Sequence, residues 1–235
     1  MLIGTSQKLS KCKSNLGVKI NDHYIENSKC EKLLGVHIDQ NLSYENHIDY
    51  VCKNVSSKIA LLGKIKKFLP LQTRKLYYNA YILSVIDYCL TVWGSASNAH
   101  LERLLKLQKR AARIILDMPP DSPSMPLFEQ LGWMTVHERL EFTKCITLYK
   151  ATHGMTPAYI SDLFQFQSTE NYNFRSASNN DMTIQRHNTK MFEKSLQYSG
   201  PRLWNSLPLS IRSAETVFNF KTLAHRFIIS KRNNQ

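Results

Sequence analysis

The sequence predicts a mainly α-helical protein. A small N-terminal region of β-hairpin and strand precedes a bundle of helices, and a C-terminal helical region follows, interrupted by a long polar loop. Three observations carry this. Apolar residues recur at three- and four-residue spacing through Ser43–Leu116, which marks helices with one buried face. Strand-like runs are short and lie before residue 42, apart from brief extended pieces in a later polar stretch. The stretch from Ser168 to Thr189 is polar and rich in Asn and Ser, with Asn171, Asn173, Asn179 and Asn180.

In order, Met1-Leu2-Ile3-Gly4-Thr5 is an apolar, strand-like run. Val18-Lys19-Ile20 and His23-Tyr24-Ile25 flank Asn21-Asp22, a pair suited to a tight hairpin turn. Leu33-Leu34-Gly35-Val36-His37-Ile38 reads as a third strand. Three short strands form a marginal sheet unless something larger covers one face. The first long helix is expected to begin at Ser43, whose hydroxyl would cap free amides, with Glu45 near the positive helix end. Its inward stripe is Ile48, Val51, Cys52, Val55, Ile59 and Leu62, and Pro70 stops it.

A second helix from about Gln72 to Ile86 carries Tyr77, Tyr78 and Tyr81, which read as packing residues, with base stacking as the alternative. Asp87 to Gly94 is less regular. The third helix, about Leu101 to Leu116, has the plainest division of faces: Leu101, Leu104, Leu105, Gln108, Ala111, Ala112 and Ile115 point inward. Pro119-Pro120-Asp121-Ser122-Pro123 reads as a linker. Beyond it, Thr135-Val136-His137-Glu138 fits a capping box at the head of a helix ending near Gly154. Thr156-Pro157 starts a short helix, and Phe218 to Ile229 forms the last one before a frayed tail at Ser230–Gln235.

Charge gives the first functional clue. The 235 residues hold 31 Lys and Arg against 18 Asp and Glu, a net charge of +13. Between Asp49 and Asp87 there is no acid at all, whereas Lys53, Lys58, Lys64, Lys66, Lys67, Arg74 and Lys75 all fall there. On the third helix Arg103, Lys106, Lys109, Arg110 and Arg113 lie mostly off the apolar stripe. A helical stripe that loses its acids offers a positive face to a polyanion. Nucleic acid, an acidic membrane surface, an acidic partner and a merely solvated basic face all satisfy composition alone. Lys58, Lys64, Lys66, Lys67, Arg74, Lys75, Arg103, Lys106, Arg110 and Arg113 are the candidate phosphate-binding residues. Engagement of about five phosphates implies a slope of log affinity against log salt of roughly −4 to −5.

Catalytic patterns are missing from the sequence. It has no phosphate-cradling G-x-x-x-x-G-K-[ST] or G-x-G-x-x-G loop, no H-E-x-x-H and no G-x-S-x-G. Two-metal nucleotidyl transfer needs clustered carboxylates, and no Asp-Asp pair occurs. Asp22, Asp39, Asp49 and Asp87 are isolated and read as caps or turns, and the eight histidines are scattered as surface or packing residues. No catalytic residue, metal site or cofactor is therefore assigned. The five cysteines have irregular spacing, which favours free, buried thiols in a reducing, intracellular setting. No run approaches the roughly 20 apolar residues of a membrane span, and no secretory signal opens the chain, so a soluble protein with no membrane partner is expected.

Several stretches together carry a family resemblance. Leu33-Leu34-Gly35-Val36-His37-Ile38-Asp39, then Leu42-Ser43 and His47-Ile48, resembles the segment just after the palm in reverse transcriptases of non-LTR retrotransposons of the jockey-like type. So do Tyr88-Cys89, Val92-Trp93-Gly94 and, most specifically, Leu105-Lys106-Leu107-Gln108-Lys109-Arg110-Ala111-Ala112-Arg113-Ile114-Ile115. Leu131-Gly132-Trp133, Leu148-Tyr149-Lys150 and Leu203-Trp204-Asn205-Ser206-Leu207-Pro208 continue it in order. The resemblance implies a palm-edge β remnant at 1–42, a thumb-like basic bundle at 43–118 and a mostly helical region at 119–235. It implies that the metal-binding aspartates, which would hold Mg²⁺, lie upstream of the Met1-Leu2-Ile3-Gly4-Thr5 segment. The expectation is a truncated RNA-directed DNA polymerase that holds an RNA–DNA or DNA duplex by its backbone and does not polymerise alone. The competing expectation is a non-catalytic interaction module that self-associates through an exposed palm-edge surface.

Overall fold

The computed structural model describes residues 1–12, 18–166 and 180–232, and is mainly helical with two small hairpins near the N-terminus. Most of the long polar stretch, including Asn171, Asn173 and Asn179, lies outside the described residues, as do the last three positions of the tail. The chain forms two compact units, Met1–Cys89 with Ala96–Leu127, and Leu90–Ser95 with Phe128–Gln235.

In the first unit the opening apolar run is not a strand. Gly4 N–H donates to the Gln40 carbonyl at 2.9 Å, and Thr5 then caps a short helix, α1 (Ser6–Lys11). Strands β1 (Lys19–Ile20) and β2 (His23–Tyr24) form the expected hairpin, with Asn21 and Asp22 both at positive φ (46° and 65°). The expected third strand is itself a hairpin. β3 (Cys30–Leu33) pairs with β4 (Val36–Asp39), and Leu34 and Gly35 make the turn at φ 46° and 83°. The turn was hidden because its first residue is a leucine rather than Asn or Asp, and that Leu34 is 82% exposed. Tyr88 braces it, with its hydroxyl donating to the Leu34 carbonyl at 2.7 Å. A Cβ on Gly35 would lie 3.3 Å from the Tyr88 ring.

The passage from β4 into helix α2 (Glu45–Ile65) winds around Asp39. One carboxylate oxygen accepts the N–H groups of Asn41 and Ser43 at 3.0 and 3.1 Å; the other accepts Tyr44 N–H at 2.7 Å and the Ser43 hydroxyl at 3.1 Å. Ser43 also supports the helix start, accepting Glu45 N–H at 3.3 Å, while Tyr44 occupies the cap position itself. Burial alone would raise the Asp39 pKa, but these four bonds outweigh it and hold the carboxyl below its ordinary value.

The buried stripe of α2 is His47, Ile48, Val51, Val55, Ile59 and Leu62. His47 replaces the expected Cys52, which is only half-buried. After a 3₁₀ turn (Lys66–Phe68), Pro70 introduces α3 (Leu71–Tyr77). The chain continues through a wide π turn (Tyr78–Leu83) into α4 (Ser84–Asp87). A wide turn displaces carbonyls from the regular ladder, and the Ser84 hydroxyl takes up that of Ala80. Helix α5 (Leu90–Trp93) belongs to the second unit.

Helix α6 (Asn98–Leu116), capped by Ser97, buries the expected stripe without exception, from Leu101 to Ile115. Gln108 within that stripe donates to the Tyr78 hydroxyl at 3.0 Å. Asp117, at φ 58°, then stops the helix by letting Met118 N–H reach the Arg113 carbonyl at 2.9 Å.

The second unit is built on α8 (Val136–Thr152), which follows α7 (Ser124–Leu131). Gly132 (φ 67°) closes α7, with Trp133 N–H on the Phe128 carbonyl at 2.8 Å, and Thr135 and Glu138 form the expected capping box of α8. Gly94 lets α5 approach α8: a Cβ there would sit 2.4 Å from Leu140 Cδ1. Helices α9 (Ala158–Ser161), α10 (Lys190–Lys194), α11 (Leu196–Asn205), α12 (Leu209–Arg212) and α13 (Val217–Arg232) complete the unit. The expected fray at Ser230 is thus still helix as far as Arg232.

Trp204, Tyr149 and Phe220 form an aromatic centre, with Phe220 stacked at 4.4 Å on Tyr149 and at 6.0 Å on Trp204. Arg232 clamps the capping box, bonding to both Glu138 oxygens and to the Trp133 carbonyl at 2.9 Å. Burial raises the Glu138 pKa, but the Arg232 and Thr135 bonds prevail and hold it low.

Candidate nucleic-acid interface

The basic surface rests on the pairing of α2 with α6, which run parallel. Arg103 at the start of α6 donates to Asp49 near the start of α2 at 2.6 Å, and Lys66 just past the end of α2 pairs with Asp117 just past the end of α6. Between them Gly63 lies against Ile114, where a Cβ would stand 3.7 Å from Ile114 Cδ1. Helical spacing then fixes the outer rows. Asp49, Lys53, Ser57, Ala60 and Lys64 follow one another at three- and four-residue intervals, and the last four are exposed. On α6 the row is Arg103, Lys106, Arg110 and Arg113, spaced three, four and three residues apart, opposite the buried stripe. It spans about 15 Å at 1.5 Å per residue. The Asp49–Arg103 pair shows that the two rows begin side by side. From 51 to 116 the sequence holds twelve Lys and Arg against two acids, so most of the chain's excess charge belongs to these helices and their connections.

The ten candidates differ in what the fold already asks of them. Four have intramolecular partners. Arg103 and Lys66 make the two ion pairs above, and those bonds hold the Asp117 carboxyl low and raise the Arg103 pKa. Arg74 donates to the carbonyls of Leu69 and Ile115 at 2.8 and 3.0 Å, and Arg113 to that of Ser122 at 3.0 Å. These two therefore tie helix ends and connections together as well as carrying charge. Lys58 and Lys75 are half-buried. Lys64, Lys67, Lys106 and Arg110 are exposed, and all but Lys67 lie squarely on the two rows.

The tyrosines divide. Tyr78 is buried at 1% exposure and packs, as expected. Tyr81 is instead 56% exposed and stacks on the half-buried Tyr77, with ring centroids 5.0 Å apart. The Tyr77 hydroxyl donates to the Lys58 carbonyl at 3.2 Å, and burial, then the neighbouring Tyr81, raises its pKa. Phe68, in the 3₁₀ turn beside Lys66 and Lys67, is 84% exposed. Exposure of the Tyr81 ring was not legible in the sequence, because tyrosine at helical spacing suits a core equally well.

Among the described residues no group of three or more His, Cys, Asp and Glu is placed to hold a metal ion. No described helix is long and apolar enough to cross a membrane. All five cysteines are free, but only Cys145 is fully buried, and burial pushes its thiol up to about 12. His37 and His47 share a ring cluster with Tyr50; His47 accepts the His37 N–H at 3.4 Å, and burial, then His37, lowers its pKa.

No protein-family profile and no solved structure matches the chain. Curated proteins do match. Over 106 residues the chain is 26% identical to an RNA-directed DNA polymerase from mobile element jockey of Drosophila melanogaster, covering 44% of this chain and 12% of the relative. Probable RNA-directed DNA polymerases of the same organism also match at 26%: that from transposon BS over 112 residues (46% of this chain, 12% of the relative) and that from transposon X-element over 102 (42% and 11%). The match spans about an eighth of the length of these relatives. Over somewhat less than half its length, the chain is thus similar to RNA-directed DNA polymerases of mobile elements.

Proposed function

We propose that the chain is the duplex-holding, thumb-like part of a non-LTR retrotransposon reverse transcriptase, and that its 235 residues do not polymerise on their own. The carrying observation is the pair of parallel helices with adjoining basic rows, Lys53–Lys64 on α2 and Arg103–Arg113 on α6. Cations at this spacing suit phosphates along one side of a duplex and position it without reading its sequence. The Asp49–Arg103 and Lys66–Asp117 pairs are solvent-facing and contribute little to stability. The buried stripes of α2 and α6 fix the two rows relative to each other, and the two pairs mark the ends of that seam.

The direct test replaces Lys64, Lys67, Lys106 and Arg110 together by Gln and measures binding to an RNA–DNA hybrid by fluorescence anisotropy. All four are exposed, so the fold should survive, and affinity should fall about tenfold or more at moderate salt. An unchanged affinity would remove the basic face from the binding surface. Primer extension by the isolated chain with added Mg²⁺ should yield no product; any extension overturns the non-catalytic reading.

A second reading, self-association, is favoured by apolar residues at the two hairpins: Ile20, Tyr24, Leu33 and Leu34 are each at least 60% exposed. Uncovered hairpin edges promote pairing between chains. Size-exclusion chromatography separates the readings. A monomer that binds duplex supports the first, and salt-insensitive self-association without duplex affinity supports the second.

A further inference from the structure

The Tyr77–Tyr81 stack is an aromatic surface that the fold leaves partly open, Tyr77 half-buried and Tyr81 exposed. Its inner ring is pinned by the hydroxyl bond to Lys58, and its outer residue is 56% exposed. It sits where α3 opens into the π turn, a geometry that recurs at functional sites.

Its place relative to the basic surface follows from the spacing on α2. The side of α2 that carries Lys58 also carries Asn54 and Leu61, and it faces Tyr77. The side that carries Asp49 and Gly63 faces α6. Lys53, Ser57 and Lys64 lie between these two sides. The stack therefore borders the lysine row on the flank away from α6, with Leu61, itself 50% exposed, on the same flank.

Resting on the duplex-holding reading above, we propose that the Tyr77–Tyr81 stack is a platform for an unpaired base of the nucleic acid whose backbone lies on the basic rows. Every base offers a π face, so stacking on tyrosine tolerates any sequence, and lysines beside the platform neutralise the phosphate that each base brings with it. The charge favours this occupant over an apolar protein surface: an aromatic pair bordered by Lys53, Lys58 and Lys64, in a stretch with no acid between Asp49 and Asp87, is matched by a ligand that is both aromatic and anionic.

The test compares three probes with the full chain by fluorescence anisotropy: a blunt RNA–DNA hybrid, the same hybrid with a four-nucleotide single-stranded overhang, and that single strand alone. Wild type should bind the overhang hybrid about fivefold or more tighter than the blunt one. Tyr81→Ala should abolish that preference, leaving blunt-hybrid affinity and the thermal midpoint unchanged, and should also weaken the single strand. Tyr81→Trp should keep the preference. Tyr81→Leu, apolar but without a π face, should lose it.

Equal binding of blunt and overhang hybrids by wild type overturns the platform. So does a preference retained by Tyr81→Ala or Tyr81→Leu, or a Tyr81→Ala effect seen only as a loss of self-association. Failure of the duplex reading has a different signature: no salt-dependent affinity for the blunt probe, while Tyr81→Ala still weakens the single strand. A single strand bound equally by wild type and Tyr81→Ala overturns the platform as well.

Discussion

Trp204→Ala should destabilise the second unit by about 3–5 kcal/mol, the usual cost of emptying a large aromatic site in a core. Trp204 is 2% exposed and lies against Phe220, which in turn stacks on Tyr149. Its indole N–H also donates to the Asn180 carbonyl at 3.3 Å, so truncation removes a bond as well as volume. The neighbouring Asn205 works with it: its amide accepts Met182 N–H at 2.8 Å and donates to the Met182 carbonyl at 3.0 Å, as a strand partner would. Trp204 and Asn205 together anchor Asn180–Met182 against this core. A fall of roughly 10 °C in thermal midpoint is expected. Trp204→Phe, which keeps a ring but loses the N–H, should fall in between. A loss below about 1 kcal/mol in the alanine variant would show that Trp204 does not hold this core.

Asp39→Ala should cost about 2–4 kcal/mol in the first unit, because three backbone N–H groups and the Ser43 hydroxyl lose a charged acceptor at once. The pH dependence has a definite sign. The folded Asp39 carboxyl titrates below its ordinary value. Its stabilisation is therefore complete above the unfolded value of about 4 and is lost as pH falls through the lower folded value. The gap in thermal midpoint between wild type and Asp39→Asn should accordingly be widest near neutral pH and narrow in acid. A gap that widened in acid would contradict this role. Asp39 thus acts as the organiser of a strand-to-helix turn, in keeping with its sequence reading as a turn residue.

What the sequence could reveal depended on how local the signal was. The α6 stripe was legible to the last residue because a single helix with one buried face writes its pattern at fixed spacing. The capping box of α8 was legible for the same reason, all its atoms lying within four residues. Helix α11 was not, because it contains Gly200 and Pro201, the two residues least suited to a helix interior. Both are buried, and Gly200 lies where a Cβ would meet Leu148 at 3.2 Å, so packing against α8 decides the backbone there. The β3–β4 hairpin was hidden by the leucine in its turn. At the basic surface, charge and row spacing were legible. The commitments of Arg74, Arg103 and Arg113 to partners 5 to 54 residues away in the chain were not, nor was the split that buries Tyr78 and exposes Tyr81.

The basic face itself is tested most directly by titrating salt against affinity for a blunt RNA–DNA hybrid. The wild-type chain should show a slope of log affinity against log salt of roughly −4 to −5, as about five phosphate contacts require. The variant with Lys64, Lys67, Lys106 and Arg110 replaced by Gln should flatten that slope by about 3 to 4. A wild-type slope near zero, or one that the four substitutions leave unchanged, would contradict a duplex held on α2 and α6.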